Sequence, residues 1–381
     1  MGPLAGVNVI ELAGIGPVPF VGMLLADLGA DVVRVDRAGV VLGTEVVPFQ
    51  PAGDLVSRNR RSIGINLKHP DGVETALRLV ERADVFFEGF RPGVVERLGV
   101  GPEPCLARNP RLVFGRMTGW GQDGPLAQGA GHDINYIALA GVLGRIGREG
   151  QPPTPPLNLV ADYGGGAMML AFGIVCALVH AQRTGQGQVV DAAMVDGASL
   201  LMMAFFGGRH GLFNTERGTN FLDSGAPFYE TYQTADGRWV AVGAMEPKFY
   251  ATLLRLLDLD GERLPEQMDR SAWPALKARF AGVFRTKTRD EWCVLLEGTD
   301  ACFSPVLDLD EVERHPHNAA RRTFVDVNGE VQPAPAPRFS ATPASIDRPP
   351  PQAGEHTDEI LGQAGLASAE VQRLRSVGAI A

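Results

Sequence analysis

Cysteine is scarce. The chain has four in 381 residues, Cys105, Cys176, Cys293 and Cys302, with no C-x-x-C pair and no histidine beside them at ligand spacing. That argues against a disulfide framework or a zinc ribbon and reads as reduced, mostly packed thiols in a cytosolic setting. Positive charge is short as well. The 35 Lys and Arg against 44 Asp and Glu leave a net charge of −9, which gives a nucleic-acid groove no electrostatic footing. The longest apolar run, Ala167–Val179, stops at His180, too soon for a bilayer, and is read as a buried core helix. The first residues show no charged segment leading into an apolar core and cleavage site, and Pro3 and Gly6 argue against myristoylation at Gly2. His315-Pro316-His317 is the one close histidine pair, and without a third ligand it reads as an exposed helix end. No internal repeat is present. A soluble, cytoplasmic protein with no nucleic-acid or membrane partner is expected.

What is there is ordinary globular composition, 45% hydrophobic and 21% charged, at a length that exceeds one core and calls for two domains. Val7–Leu12 has strand composition, Phe20–Gly29 reads as a helix and Asp31–Asp36 as a second strand, a βαβ unit of the doubly wound kind. Gly14-x-Gly16 and Asp36 imitate a dinucleotide fingerprint, but the third glycine position holds Pro19, and Pro17 and Pro19 remove N–H donors. A nicotinamide enzyme is therefore a minor reading. An amphipathic helix over Asp71–Arg82 and strands at Val85–Phe87 and Leu112–Phe114 extend the α/β pattern. Later come a hairpin at Phe228–Thr234 and Arg238–Ala244, a capping box at Thr288-x-x-Glu291 and a turn at Asn328-Gly329. Arg37, Arg58, Arg60, Arg61, Lys68, Arg91 and Arg97 form a cationic series suited to phosphate, against the alternative of ordinary surface charge.

The chemistry concentrates between Gly131 and Gly166. His132 and Asp162 lie on separate segments, and the second leads into Gly164-Gly165-Gly166 and the helix Ala167–Gln182. Imidazole titrates near neutrality and a carboxylate is its usual counter-base, so the pair suits proton transfer; a satisfied structural pair is the plain alternative. Just ahead of a helix, Asp162 is expected to be favoured in its ionised form by the macrodipole, and to be placed to cap. N–H groups near Gly164–Gly166 are candidate oxyanion donors. Glu246, followed by Pro247, reads as a helix start and as a candidate partner for a catalytic imidazole.

Taken together, these motifs resemble the family III CoA-transferase superfamily, most closely its α-methylacyl-CoA racemase branch, over essentially the whole chain. The matching stretches are Val32–Arg37, Arg61–Lys68, Phe90–Gly93, Gly131–Tyr136, Pro156–Asp162, Ala244–Pro247 and Gly354–Thr357. The hexapeptide Gly131-His132-Asp133-Ile134-Asn135-Tyr136 marks the racemases. The resemblance implies an α/β fold with a Rossmann-like large domain, a smaller α+β domain and an interlocked homodimer. It implies a large CoA-binding domain over 1–190, linking helices over 191–224, a small domain over 225–320, and a return over 321–381 whose residues 325–381 complete the large domain. It further implies acyl-CoA contacts from Arg37, Ile65, Asn66, Leu67, Lys68, Arg91, Gly131, Asp133, Ile134, Asn135 and Tyr136. His132 and Asp162 would exchange an α-proton, with Asn158 orienting Asp162 and Glu246 of the other subunit reaching His132. No cofactor or metal is required, CoA being part of the substrate.

One departure is the long apolar segment Val40–Asp54, including Leu42, Val46, Val47 and Phe49, which is expected to shape the acyl side of the pocket. The alternatives are a transferase in which Asp162 attacks the thioester as a nucleophile and a non-catalytic CoA-binding module.

Overall fold

A computed structural model describes residues 2–46, 54–209, 211–213 and 216–381. Val47 and Phe49 lie outside the described residues. Short apolar strands alternate with helices through the first half: β1 (Asn8–Leu12), β2 (Asp31–Arg37), β3 (Arg61–Ile65), β4 (Val85–Glu88), β5 (Val113–Thr118) and β6 (Gln188–Ala193). All neighbours are parallel, in the order β3-β2-β1-β4-β5-β6. This is the doubly wound order, and it reverses between β1 and β4, where loops diverge and leave a crevice. β3 is an addition to the strands read from the sequence. Its Arg61, Ser62 and Gly64 disguise it, and contacts from the far end of the chain bury it.

Helix α1 (Pro17–Asp27) begins earlier than expected, because proline fits a first helical position and Gly16 supplies the turn at φ 67°. Helix α2 (Pro70–Val80) buries Ala76, Leu77 and Val80. Helix α3 (Asp133–Leu139) starts immediately after His132. Helix α4 runs from Leu159 to Thr184, with a π-helical opening over Leu159–Ala167 and regular α-helix over Met168–Thr184. It outruns the expected helix at both ends. These 26 residues are long and apolar enough to cross a membrane by length and composition, which corrects the expectation drawn from the shorter apolar run. Its inner side, including Leu170, Ile174, Ala177 and Leu178, is buried. Helix α5 (Met194–Leu201) crosses its opening turn so closely that a Cβ on Gly165 would stand 2.5 Å from the Ala198 nitrogen.

The chain divides into two compact units, one of residues 1–140, 157–201 and 325–381, the other of residues 141–156 and 202–324. In the second, β7 (Tyr229–Gln233), β8 (Trp239–Gly243) and β9 (Phe303–Pro305) form an antiparallel sheet. The expected hairpin turns at Asp236-Gly237, where Gly237 takes φ 77°. Helices α6 (Pro247–Leu256), α7 (Trp273–Phe284) and α8 (Arg289–Leu296) pack on an aromatic core of Phe228, Tyr232, Trp273, Phe280, Phe284 and Trp292. The Thr288–Glu291 capping box opens α8. Residues 141–156 join this unit through Arg148, whose guanidinium pairs with the buried Glu230 carboxylate at 2.5 Å.

The hairpin β10 (Phe324–Val327) and β11 (Glu330–Pro333) begins at the boundary residue Phe324 and otherwise belongs to the C-terminal part of the first unit, followed there by helices α9 (Thr357–Gln363) and α10 (Ser368–Ser376). Ile360, Leu361, Val371 and Leu374 join the core formed by α2 and the sheet. Ile380 bridges Ile65 on β3, and the Ala381 N–H donates to the Gly64 carbonyl at 3.1 Å.

Candidate active site

The loops leaving β1 and β4 enclose a cavity of about 340 Å³ at the switch point of the sheet. Ile15–Val18 line it after β1, Gly89–Pro92 after β4 and Met117–Trp120 at the end of β5 and just beyond it. His132, Tyr136 and Asp162 complete the wall. The two residues singled out for proton transfer therefore face one space, although 30 positions of chain separate them.

His132 caps α3, and its backbone N–H donates to Asn135 Oδ1 at 3.0 Å. Asp162 lies inside the π-helical opening of α4 rather than ahead of a helix. Asn158 Nδ2 donates to Asp162 Oδ2 at 3.0 Å. The expectation of an ionised, dipole-stabilised Asp162 needs correcting. Burial foremost pushes its carboxyl above the usual range, and the Asp133 charge adds to this, against the Asn158 hydrogen bond and the field of His132. Nor does Asp162 cap the helix. That role falls to Asp133, whose Oδ2 accepts the Ala161 and Asp162 N–H groups at 2.6 and 2.8 Å. Gly16 closes against the site from α1, where a Cβ would come 3.5 Å from Asp162 Oδ2.

None of Gly164, Gly165 and Gly166 lines this cavity. Gly165 and Gly166 are buried within α4, Gly165 facing the α5 backbone and Gly166 the side chains of Met194 and Met117, so they serve helix packing. The Tyr136 hydroxyl donates to the Gly131 carbonyl, and its ring meets Trp120 edge-on at 4.8 Å. Burial pushes that phenol up to about 12, so it stays neutral. Ile134 and Asn135 are exposed on α3 and line neither this cavity nor the next.

A second cavity of about 170 Å³ lies over the ends of β2 and β3. Arg37, Ile65, Asn66, Leu67 and Lys68 line it, and Phe90 borders both cavities. Arg37 is paired with Glu45 at 3.0 Å, both exposed, an arrangement that solvent weakens. The described part of the Val40–Asp54 segment borders this cavity through Glu45, not the one holding His132. Arg91 lies on the wall of the first cavity.

The rest of the cationic series divides. Arg58, Arg60 and Arg61 are buried and paired inside the fold, Arg58 with Asp27 at 2.5 Å, Arg60 with Glu11 at 2.5 Å, and Arg61 with Asp31 and Glu359. They are structural, because a buried guanidinium has to be matched by a carboxylate. Glu88 is a residue the sequence reading passed over. It is fully buried at the end of β4, accepting the Phe90 N–H at 2.6 Å and Arg116 Nε at 3.2 Å. Arg116 also pairs with Glu96 at 2.9 Å. Burial pushes the Glu88 carboxyl up to about 7. Glu88 thus anchors the loop that carries Phe90 and Arg91. Glu246 caps α6 in the second unit, exposed, with Pro247 at the first helical position as expected.

The family model for CoA-transferase family III matches residues 4–357. Alpha-methylacyl-CoA racemase of Mus musculus is 48% identical over 378 residues, covering 98% of this chain and 96% of the relative. The Homo sapiens protein of that name is 47% identical with the same coverage. The beta subunit of succinyl-CoA--L-malate CoA-transferase from Chloroflexus aurantiacus is 33% identical over 98% of this chain and 97% of its own. A CAIB/BAIF family protein from Brucella suis has a solved structure with a TM-score of 0.82 at 27% identity, covering 95% of this chain and 99% of that one.

Proposed function

The chain belongs to CoA-transferase family III, and from that premise we propose that it is an isomerase inverting the α-carbon of 2-methylacyl-CoA thioesters by 1,1-proton transfer. The observation that carries this reading is the convergence of His132 and Asp162 on one cavity at the sheet's switch point. The likeness to relatives named as racemases, at 47 to 48% identity over nearly the whole chain, supports it.

A thioester carbonyl makes the adjacent C–H acidic by spreading charge into an enolate. Inversion needs a base on one face of that carbon and an acid on the other. His132 and Asp162 fill these roles and exchange them with the direction of reaction. Burial lets Asp162 hold a proton more readily than a solvated carboxyl, which suits an acid, and Asn158 orients its Oδ2. The donors that fit the enolate oxygen are the backbone N–H groups of Gly16 and Val18 on the cavity wall, since Pro17 and Pro19 have none. Arg37 and Lys68 receive the phosphates of CoA over β2 and β3, with Phe90 between the two cavities and Arg91 beside the thioester. A phosphate group displaces Glu45 from Arg37.

The working form is a homodimer. Leu139 on α3, Leu157 in the turn before α4 and Phe172 on α4 are 62%, 76% and 68% exposed, apolar side chains that a second copy covers. Glu246 of the second copy then orients His132.

The test is deuterium exchange. One pure 2-methylacyl-CoA epimer is incubated in D₂O without an acceptor acid, and deuterium at the α-carbon together with epimerisation is expected. His132→Ala and Asp162→Ala each abolish epimerisation while largely sparing CoA-ester affinity. CoA movement only on adding an acceptor acid would instead make Asp162 a nucleophile, and binding alone would make the protein a carrier.

A further inference from the structure

Asp133 follows His132 in the chain, yet its side chain belongs to the other half of the site. It is 4% exposed, and its Oδ2 accepts two N–H groups at the opening of α4, those of Ala161 and Asp162, at 2.6 and 2.8 Å. One carboxylate thus joins the backbone carrying the imidazole to the backbone carrying the second proton-transfer group. Its other oxygen, Oδ1, is buried with no hydrogen-bond partner among the described residues. Leaving a charged acceptor half-satisfied in the interior costs stability, so a need other than stability accounts for it.

We propose that Asp133 is the positioning residue of the proton-transfer pair, clamping the opening turn of α4 to the start of α3 so that His132 and Asp162 keep a fixed separation across the cavity. This rests on the racemase reading and deepens it. A misplacement of about 1 Å in such a constellation costs on the order of 10²-fold in rate, which makes a rigid two-bond tie valuable here. The tie carries a second effect, because a negative charge next to Asp162 favours its protonated form. The groups bearing on Asp162 are His132, Asp133 and Tyr136 from α3 and Asn158 from its own turn. The stretch lining the site before and into α1, Ile15–Val18, brings no charge, and Asp196 on α5 acts on Asp191.

The test uses two variants of the full chain. Asp133→Asn keeps an oxygen that can accept both N–H groups and removes the charge. Asp133→Ser withdraws the reach. With Asp133→Asn, the limb of the kcat–pH profile belonging to Asp162 moves to lower pH in both reaction directions, since Asp162 ionises more easily once its neighbour is neutral. With Asp133→Ser, kcat falls about 10- to 100-fold while KM for the CoA ester stays within about threefold, and the Ala161 and Asp162 amides exchange hydrogen about tenfold faster. An unmoved limb together with wild-type kcat in Asp133→Ser, or effects confined to KM, overturns the proposal. So does the failure of both variants to fold, which would make Asp133 part of the scaffold alone. If the wild type itself incorporates no deuterium, the racemase reading fails separately, and the clamp is still judged by the amide exchange of Asp133→Ser, where unchanged rates reject it.

Discussion

Glu88→Gln isolates the buried carboxyl behind the cavity. Its ordinary value of 4.5 is pushed to about 7 in the folded chain, chiefly by burial, against the Phe90 N–H and Arg116. Between these values the folded protein holds a proton that the unfolded chain has released. The contribution of Glu88 to stability is therefore greatest below pH 4.5, declines as pH rises through that window, and levels off above about 7. At about 1.36 kcal/mol for each pH unit, the window is worth about 3 kcal/mol. The substitution also weakens the pairing with Arg116, and that adds an offset which barely varies with pH. The readout is consequently the slope. Urea unfolding followed from pH 5 to 8 should show wild-type stability falling by about 2.5 kcal/mol relative to the variant. Parallel curves for the two proteins would refute the reasoning, because Glu88 would then titrate alike in both states.

Further expectations concern other parts of the fold. Arg58→Ala leaves the Asp27 carboxylate buried without its guanidinium, and chemical denaturation should register a loss of about 3–5 kcal/mol. Gly165→Ala drives a methyl into the α5 backbone at 2.5 Å, so stability drops by about 1–3 kcal/mol and α-proton exchange falls with it, because α4 carries Asp162. Thr288→Ala removes the capping box of α8 and lowers stability by about 1 kcal/mol in thermal unfolding while leaving α-proton exchange intact.

Local signals made much of this legible in the sequence. The alternation of β1, α1 and β2 follows from apolar runs broken by Gly and Pro, and the hairpin at Asp236-Gly237 and the box at Thr288 depend on residues a few positions apart. His132 and Asp162 stood out because their types are chemically apt and their segments distinctive. What escaped the reading was tertiary. Nothing near Arg58 or Arg60 reveals partners at Asp27 and Glu11, so three structural cations passed for phosphate ligands. The π-helical opening of α4 begins at Leu159 because Asp133, on another segment, satisfies its first N–H groups. The same contact decides why Asp162 is not its own cap. Glu88 was invisible as an anchor, since burial, which raises its proton affinity, cannot be seen from four residues of strand.

The seal over β3 has a consequence for biosynthesis. Residues from Thr357 to Ala381 cover that strand, with Thr357 accepting the Gly64 N–H and Ile380 bridging Ile65. A ribosome releases the sheet's outermost strand about 300 residues before its covering, so the nascent protein carries a bare pairing edge until that covering emerges. Chaperone demand during expression should accordingly depend on those covering residues.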